Sequence, residues 1–199
     1  MLSALFPLVC PGCGTATARG ALCAPCAARL RKPVKAPPPI GVDVWSAPFA
    51  YEGVARELVA RVKYRNARAV VPWLATAMAG TVDPGGLEIV TWAPTSRERR
   101  RDRGFDPAEL LARSLARRLG LRCCGLLDRL PGPAQTGLPA AARRRGPRFE
   151  RRRPAPRSVL VVDDIATTGA TLAAAARTLR ASGARRVVAV TAARTPPPR

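Results

Sequence analysis

The sequence predicts an α/β protein with a parallel sheet, preceded by a small cysteine-rich module. Three observations support this prediction. Strand-like apolar runs alternate with helical patterns over residues 43–199, which is typical of parallel strands joined by right-handed crossovers. One run, SVLVVDD, ends in two aspartates and is followed by an alanine-rich helix. Two Cys-x-x-Cys pairs lie close together near the N-terminus.

Composition narrows the classes of function. The 199 residues, 47% of them hydrophobic, are enough for one core and a small appendage. The net charge is +21 and comes mostly from arginine, to which genomic base composition also contributes. A field of this sign favours phosphorylated metabolites and nucleic acid as partners. Histidine is absent, which excludes Ser/His/Asp and Cys/His catalysis and any histidine metal ligand.

No targeting or membrane segment is expected. The apolar stretch 2–9 is short and lacks a basic leading segment, so it is not typical of a signal peptide. Nor does any apolar run approach the roughly 18–20 residues of a membrane span. We therefore expect a cytoplasmic protein.

The cysteine pairs predict a structural zinc site. Nine residues separate Cys10-Pro-Gly-Cys13 from Cys23-Ala-Pro-Cys26, and four thiolates brought together by two such turns suit tetrahedral Zn²⁺. A redox pair and unmetallated thiols are the alternatives. We assign residues 1–32 to this module and 33–42 to a proline-rich linker, with the α/β domain at 43–199. Cys123 and Cys124 lie in an apolar stretch and are expected to be buried small residues.

The stretch 158–171 predicts a site for a phosphorylated ribose. Val159–Val162 has the pattern of a central strand that stops at Asp163 and Asp164, and Leu172–Ser182 has that of the following helix. Carboxylates at a strand end suit sugar hydroxyls, and a Thr/Gly-rich turn at a helix N-terminus suits a phosphate. The predicted phosphate-binding residues are Ala166, Thr167, Thr168, Gly169, Ala170 and Thr171. Helix-capping Asp and Thr at an ordinary strand end are the alternative.

Other strands and helices complete the predicted domain. We expect strands at 45–51, 88–93 and 187–193 and a helix at 53–65. A second helix begins at Asp106 as N-cap with Pro107 at N1, and Glu109 at N3 completes a capping box.

An arginine-rich loop is expected between the strand at 88–93 and that second helix. It would lie on the ligand side of the sheet, where guanidinium groups clamp pyrophosphate oxygens. A solvated charge run is the alternative for about half of these arginines. The arginines that could clamp pyrophosphate in this way are Arg97, Arg99, Arg100, Arg101 and Arg103. Of this region, the candidate pyrophosphate-binding residues are Thr95, Ser96, Arg97, Arg101 and Arg103.

Several of these motifs resemble known families. VLVVDDIATTGAT resembles the phosphoribosyl pyrophosphate loop of type I phosphoribosyltransferases, which implies that Asp163 and Asp164 bind the ribose hydroxyls and that 166–171 bind the 5′-phosphate. The four cysteines, Arg103-Gly-Phe105 and, more weakly, Lys63-Tyr64 resemble the ComF family across nearly the whole chain. Asp106-Pro107 departs from the Asn-Gln usual in that family.

The ComF resemblance extends to residues 128–157, whose many prolines, glycines and arginines are otherwise typical of a loop. In type I transferases the corresponding segment is a mobile loop that closes over the reacting centre. A disordered basic segment is the competing interpretation. The matching residues of this flexible basic loop are Arg129, Gln135, Arg143, Arg144 and Arg145.

Two functions follow from these resemblances. The first is a ComF-like phosphoribosyltransferase-fold protein that binds phosphoribosyl pyrophosphate with Mg²⁺ and transfers, or once transferred, the phosphoribosyl group. The second is a competence-associated factor that handles single-stranded DNA alongside other competence proteins, with the fold serving for binding alone. The sequence names no acceptor base.

Overall fold

The computed structural model describes residues 9–17, 22–65, 69–131 and 146–196. In chain order, the elements of these residues are α1 (Ala24–Ala28), β1 (Val44–Ser46), β2 (Phe49–Ala50), α2 (Gly53–Arg65), α3 (Val70–Ala79), β3 (Ile89–Trp92), α4 (Arg97–Arg103), α5 (Pro107–Leu119), β4 (Arg122–Cys123), β5 (Leu127–Arg129), β6 (Phe149–Arg151), β7 (Ser158–Ala166), α6 (Ala170–Ala181) and β8 (Arg186–Arg194).

A parallel sheet organises the chain and confirms the predicted fold class. Its strand order is β1-β8-β7-β3-β4, and β2 continues beside β8 where β1 ends. Every pairing in this sheet is parallel. The two other strands, β5 and β6, form a separate antiparallel pair. The central strands β7 and β8 are apolar on both faces, as expected for a sheet covered by helices on both sides.

Two apolar layers lie on opposite faces of the sheet. Alternate residues of β7 divide between them: Leu160 and Val162 pack with α2, α3 and α5, while Val159 and Val161 pack with α6. This period-two alternation decides where the aspartates point, because Asp164 continues the first series and Asp163 the second. No helix in the described ranges is long and apolar enough to cross a membrane.

The end of β7 differs from the prediction. We expected the strand to stop at Val162, but it runs on through both aspartates to Ala166. The neighbouring β8 is long enough to pair with this extension, as the Asp163–Thr191 and Ala166–Arg194 registers show. Pairing with a neighbour therefore overrides the unfavourable strand propensity of aspartate.

The arginines after β3 were predicted to form a loop, and that prediction was wrong. They form α4, with Ser96 as N-cap, whose hydroxyl accepts a hydrogen bond from the amide of Arg99 at 3.3 Å. Gly104 ends the helix in the left-handed conformation, with φ at +75°. A helix places successive arginines on different sides, so they do not act as one clamp.

Smaller differences concern loops and element ends. The strand predicted at 45–51 is two short strands, and α6 begins at Ala170, before the predicted Leu172. Part of the predicted loop 128–157 is the β5–β6 pair. Helix α3 was not predicted.

Asp106 caps α5 as expected, but the Glu109 carboxylate is directed at Arg100 and Arg113, which replaces the expected capping-box geometry.

Residues from the proline-rich segment lie along α6. A Cβ added to Gly169, the N-cap of α6, would lie 2.6 Å from Cγ of Pro39. About two turns further along the helix, a Cβ on Gly41 would lie 3.4 Å from Cβ of Ala176. Arg180 then donates to the carbonyl of Gly41 and pairs with Asp43 at 2.7 Å. We call residues 39–43 the strap, since they follow α6 from its first residue to its last turn.

Candidate functional site

A cleft of about 420 Å³ opens where β3 and β7 end, at the edge of the sheet where parallel α/β folds bind ligands. Its size is within the usual range of small-molecule sites. Both aspartates of β7 contribute to it, together with the end of α2, the start of α5, and α4. The lining residues are Lys63, Tyr64, Ala93, Pro94, Thr95, Arg99, Arg103, Asp106, Ala108, Arg129, Asp163, Asp164, Ile165 and Thr171.

The aspartate pair is held by a lysine and by its own backbone. Lys63 Nζ lies 3.0 Å from Oδ1 of Asp164, and the amide of Asp164 donates to Oδ1 of Asp163 at 2.8 Å. Burial and the charge of Asp164 raise the pKa of Asp163 well above its usual value. Burial alone would lower the pKa of Lys63, but the charge of Asp164 raises it. The pair is therefore a site where negative charge is disfavoured by burial and is partly balanced by the Lys63 cation.

A third carboxylate, Asp106, fixes the cleft wall. Its Oδ1 accepts from the amide of Ala108, as an N-cap, and its Oδ2 accepts from the amide of Thr95 at 2.8 Å. Burial raises the pKa of Asp106. One side chain thus ties the start of α5 to the loop after β3, so Thr95 is held at the cleft by a residue that the sequence identified only as a cap.

Cations surround these carboxylates. Arg99 and Arg103 lie one turn apart on α4 and both line the cleft, and Arg103 lies over the ring of Tyr64 at 5.1 Å. Arg129 enters from β5, and burial together with the charge of Arg99 lowers its pKa. The charge of Arg99 therefore disfavours the charged form of Arg129, and a bound anion would relieve this repulsion.

The predicted pyrophosphate residues separate on α4. Thr95 and Arg103 line the cleft, Ser96 caps the helix, and Arg97 and Arg101 are exposed. Arg99, which was among the arginines expected to clamp but not among the candidate pyrophosphate-binding residues, lies in the cleft with Arg103. Of the predicted basic loop, Arg129 is in the cleft, whereas Gln135, Arg143, Arg144 and Arg145 lie outside the described residues.

The predicted phosphate turn, 166–171, joins β7 to α6. Gly169 is the N-cap, with φ at +74°, a conformation that glycine adopts without strain. It has no side-chain oxygen of its own that could accept from the first amides of the helix, the end at which helices bind anions. Thr168 Oγ1 accepts from Ala170 at 3.4 Å, and Thr171 lines the cleft. Thr167 and Thr168 are exposed, and Ala166 is held through its carbonyl by Thr195.

The four N-terminal cysteines form one cluster. Their sulfur atoms all lie within 4.8 Å of one another, close enough for one metal ion. Backbone amide donors outweigh the effect of burial and lower the pKa of Cys10 to about 6. Burial and the three neighbouring thiols raise the pKa of Cys26 to about 12. Four thiolates at this spacing repel one another unless a cation lies among them, so the donor set fits a thiophilic metal.

Lys63 is a cleft residue that was given no role from the sequence, and Arg99 is one that was not singled out among the clamping arginines. Lys63 was noted only in a motif at the end of a predicted amphipathic helix, and its salt bridge spans elements far apart in sequence. A helical reading of residues 97–103, signalled by Ser96 and Gly104, would have placed Arg99 with Arg103.

Comparison with known families agrees with this geometry. Residues 107–198 match the family model described as the phosphoribosyl transferase domain. The match begins at the first residue of α5 and includes both aspartates and the turn at 166–171. No curated protein matches the chain.

The fold and the matched region together define the class of the protein. It has a phosphoribosyltransferase-type α/β domain with a mostly parallel sheet. More particularly, this chain carries a four-cysteine cluster near its N-terminus in addition to that domain.

Proposed function

We propose that the protein binds phosphoribosyl pyrophosphate with Mg²⁺ and transfers its phosphoribosyl group, as a ComF-like phosphoribosyltransferase. One observation carries the proposal: Asp163 and Asp164 lie in a cation-lined cleft directly before the glycine-capped start of α6, within the region that matches the family model. Carboxylates accept hydrogen bonds from a diol, and a helix N-terminus binds a phosphate. A ribose 5-phosphate carries both groups.

Each part of the ligand then has its own partners. The ribose hydroxyls donate to Asp163 and Asp164, and Lys63 limits the repulsion between these carboxylates and the phosphates. The 5′-phosphate accepts from the first amides of α6 and from Thr171. Arg99 and Arg103, which both line the cleft, contact the pyrophosphate, to whose oxygens guanidinium groups donate charge-assisted hydrogen bonds. Mg²⁺, when bound, neutralises charge on the pyrophosphate oxygens.

The chemical step in this proposal needs no covalent intermediate. The bond from C1 of the ribose to pyrophosphate breaks, the leaving group takes the electron pair, and a nitrogen nucleophile attacks the oxocarbenium-like centre. Arg99 and Arg103 stabilise the charge that develops on the leaving group, and the aspartates hold the ribose in place. This division of roles agrees with the absence of histidine from the chain.

A thermal-shift titration with phosphoribosyl pyrophosphate and Mg²⁺ tests the proposal. The ligand should raise the Tm of the native protein by about 3–10 °C at saturation, equivalent to a few kcal/mol for a chain of this size. Asp163→Asn with Asp164→Asn should abolish the shift while the variant stays folded. The control, Asp83→Asn with Glu150→Gln, removes two exposed carboxylates elsewhere and should keep it. An equal shift in the aspartate double variant would disprove the ribose assignment.

We also propose that the cysteine cluster binds structural Zn²⁺. Its support is the spacing of the four sulfurs and the lowered pKa of Cys10, which favours a thiolate ligand near neutral pH. All six cysteines are free of disulfides, in keeping with a reducing compartment such as the cytoplasm. The ComF-like organisation of module, linker and domain over 1–32, 33–42 and 43–199 is part of the same proposal.

The second candidate is single-stranded DNA binding in natural competence. Its support is the net charge of +21 and the basic segment 143–145. Because charge alone produces binding at low salt, the salt dependence is the informative quantity. If these three arginines, together with neighbouring ones, engage about four phosphates, a plot of log K for single-stranded DNA against log salt concentration should have a slope of about −3. Replacing Arg143, Arg144 and Arg145 with alanine should make that slope shallower by about two. An unchanged slope in that variant would remove this candidate.

A further inference from the structure

A second cleft lies on the other side of α4, at the β4 edge of the sheet. It has a volume of about 360 Å³ and shares none of its lining with the first cleft. Helix α4 separates the two, because Arg99 and Arg103 face the first cleft and Arg100 the second. The second cleft is lined by Trp92, Arg100, Glu109, Arg113, Cys123, Cys124, Gly125, Arg152 and Arg153.

The charge of the second cleft is unbalanced. Four arginines and one glutamate line it, which gives +4 − 1 = +3. Glu109 contacts Arg100 at 3.1 Å and Arg113 at 2.9 Å, so its carboxylate is already shared between two cations. Within the described part of the chain, no carboxylate pairs with Arg152 or Arg153. Burial raises the pKa of the Cys123 thiol to about 11, so this thiol adds no negative charge near neutral pH.

A net positive charge among the residues that line one cleft favours a phosphate. Four arginines share a single glutamate there, and an anion bound among them would balance the excess charge. A guanidinium also donates two parallel hydrogen bonds to a phosphate, a geometry that a single water cannot reproduce. Arg113 is further fixed by its position over the Trp92 ring, 5.8 Å from the ring centre, so one donor is already oriented.

An apolar chamber adjoins this cationic cleft and limits the class of ligand. Its volume is about 700 Å³, and it shares Cys124 and Arg153 with the cleft. Its remaining lining is mainly apolar: Ile89, Leu126, Pro154, Ala155 and Pro156, with Glu88 and Arg122 also present. A ligand that fills both compartments has an anionic group beside a flat, weakly polar group.

We propose that this two-part cleft binds a nucleoside phosphate, with the phosphate among Arg100, Arg113, Arg152 and Arg153 and the base in the apolar chamber. This site goes beyond the proposed transferase site, since it uses a different edge of the sheet and different arginines. Gly125 lies between the compartments, where an added Cβ would lie 3.2 Å from the Trp92 ring and 3.6 Å from Nη1 of Arg152. A side chain there would occupy the space that the proposal assigns to the ligand.

Calorimetric titration with AMP tests the proposal, in the Asp163→Asn/Asp164→Asn background so that the first cleft does not contribute. AMP should bind, and Arg152→Ala with Arg153→Ala should weaken it at least tenfold. The matched control, Arg29→Ala with Arg31→Ala, removes two exposed positive charges near α1, toward the opposite edge of the sheet, and should change the affinity less than twofold. Equal weakening in both double variants would mean diffuse charge and would overturn the proposal.

Two further variants distinguish the parts of the site. Glu109→Gln removes the competing carboxylate and should tighten AMP binding, whereas loss of affinity would contradict the assigned role of the arginines. Gly125→Val leaves the charge unchanged and should block AMP. If it does not, the ligand lies elsewhere.

Two further probes test the class of ligand. Inorganic phosphate should bind more weakly than AMP, and equal affinity would refute the base chamber. A (dT)10 strand that binds more tightly than AMP and displaces it would assign the cleft to nucleic acid and overturn the proposal.

Discussion

Substitution of Gly169 by alanine tests whether the strap constrains the turn at 166–171. Two separate costs are expected. The residue has φ at +74°, and an L-residue in the left-handed region costs about 1–2 kcal/mol. The new Cβ would also lie 2.6 Å from Cγ and 3.1 Å from Cβ of Pro39, and overpacking of this kind costs about 1–3 kcal/mol. We therefore expect a total loss of about 3.5 kcal/mol.

Gly120 provides the matched control for the backbone cost. It caps α5 at the C-terminal end with φ at +67°, and an added Cβ would meet nothing within 4 Å. Gly120→Ala should therefore cost only about 1.5 kcal/mol. At about 2–4 °C per kcal/mol for a chain of this length, Tm should fall by about 3–6 °C in the control and by about 7–14 °C in Gly169→Ala.

A double-mutant cycle with Pro39→Ala isolates the contact. Alanine at position 39 lacks the Cγ that would lie closest and keeps only the Cβ at 3.1 Å. The double variant should recover most of the excess loss, which gives a coupling energy of about 2 kcal/mol in denaturant unfolding. Equal losses for Gly169→Ala and Gly120→Ala, with no coupling to position 39, would refute the reasoning.

Three further predictions concern the charged groups and the metal. Burial and the charge of Asp164 raise the pKa of Asp163, so the folded protein binds a proton on this carboxylate more readily than the unfolded chain does. The free energy of unfolding therefore falls as the pH rises from 3.8, the ordinary pKa of aspartate, through the raised pKa of Asp163. Asp163→Asn should therefore be more stable than the native protein at pH 7 in urea unfolding, and a difference that persists undiminished at pH 3 would contradict this. Lys63→Met leaves Asp164 without its cation and should lower the free energy of unfolding by about 3 kcal/mol. The control Lys35→Met removes an exposed lysine and should change it by less than about 0.5 kcal/mol. An equally small loss in Lys63→Met would argue against the ion pair. Metal analysis should find about one zinc per chain after purification under reducing conditions. Cys26→Ser should release the zinc, while the α/β domain keeps its unfolding transition. Absence of zinc from the native protein would contradict the metal assignment.

The sequence was most informative where local chemistry and tertiary structure agree. The apolar strand before Asp163, the N-cap at Asp106 and the paired cysteines each depend on a few adjacent residues, and the fold class follows from their order. The extent of β7 was less accessible, because its last residues are strand only through pairing with β8. Propensity alone predicted the end at the first aspartate.

The arrangement of the cleft could be predicted only in part. Aspartates and arginines were identified by type, but which arginines face the ligand depends on the phase of α4, and a loop interpretation left that phase undefined. The salt bridge from Lys63 to Asp164 joins α2 to β7 across the intervening helices and strands. Long-range pairs of this kind have no local sequence signal, and neither does the packing of Pro39 against Gly169.

Helix α4 is a wall common to two compartments. It is seven residues long and buries none of its side chains, so the free energy that holds its position is small. If both proposed sites bind anions, one that draws Arg99 and Arg103 toward the first cleft would also change the position of Arg100 in the second. By thermodynamic linkage, the factor by which the first ligand changes the affinity for the second equals the factor by which the second changes the affinity for the first. Such coupling would pass through one short helix.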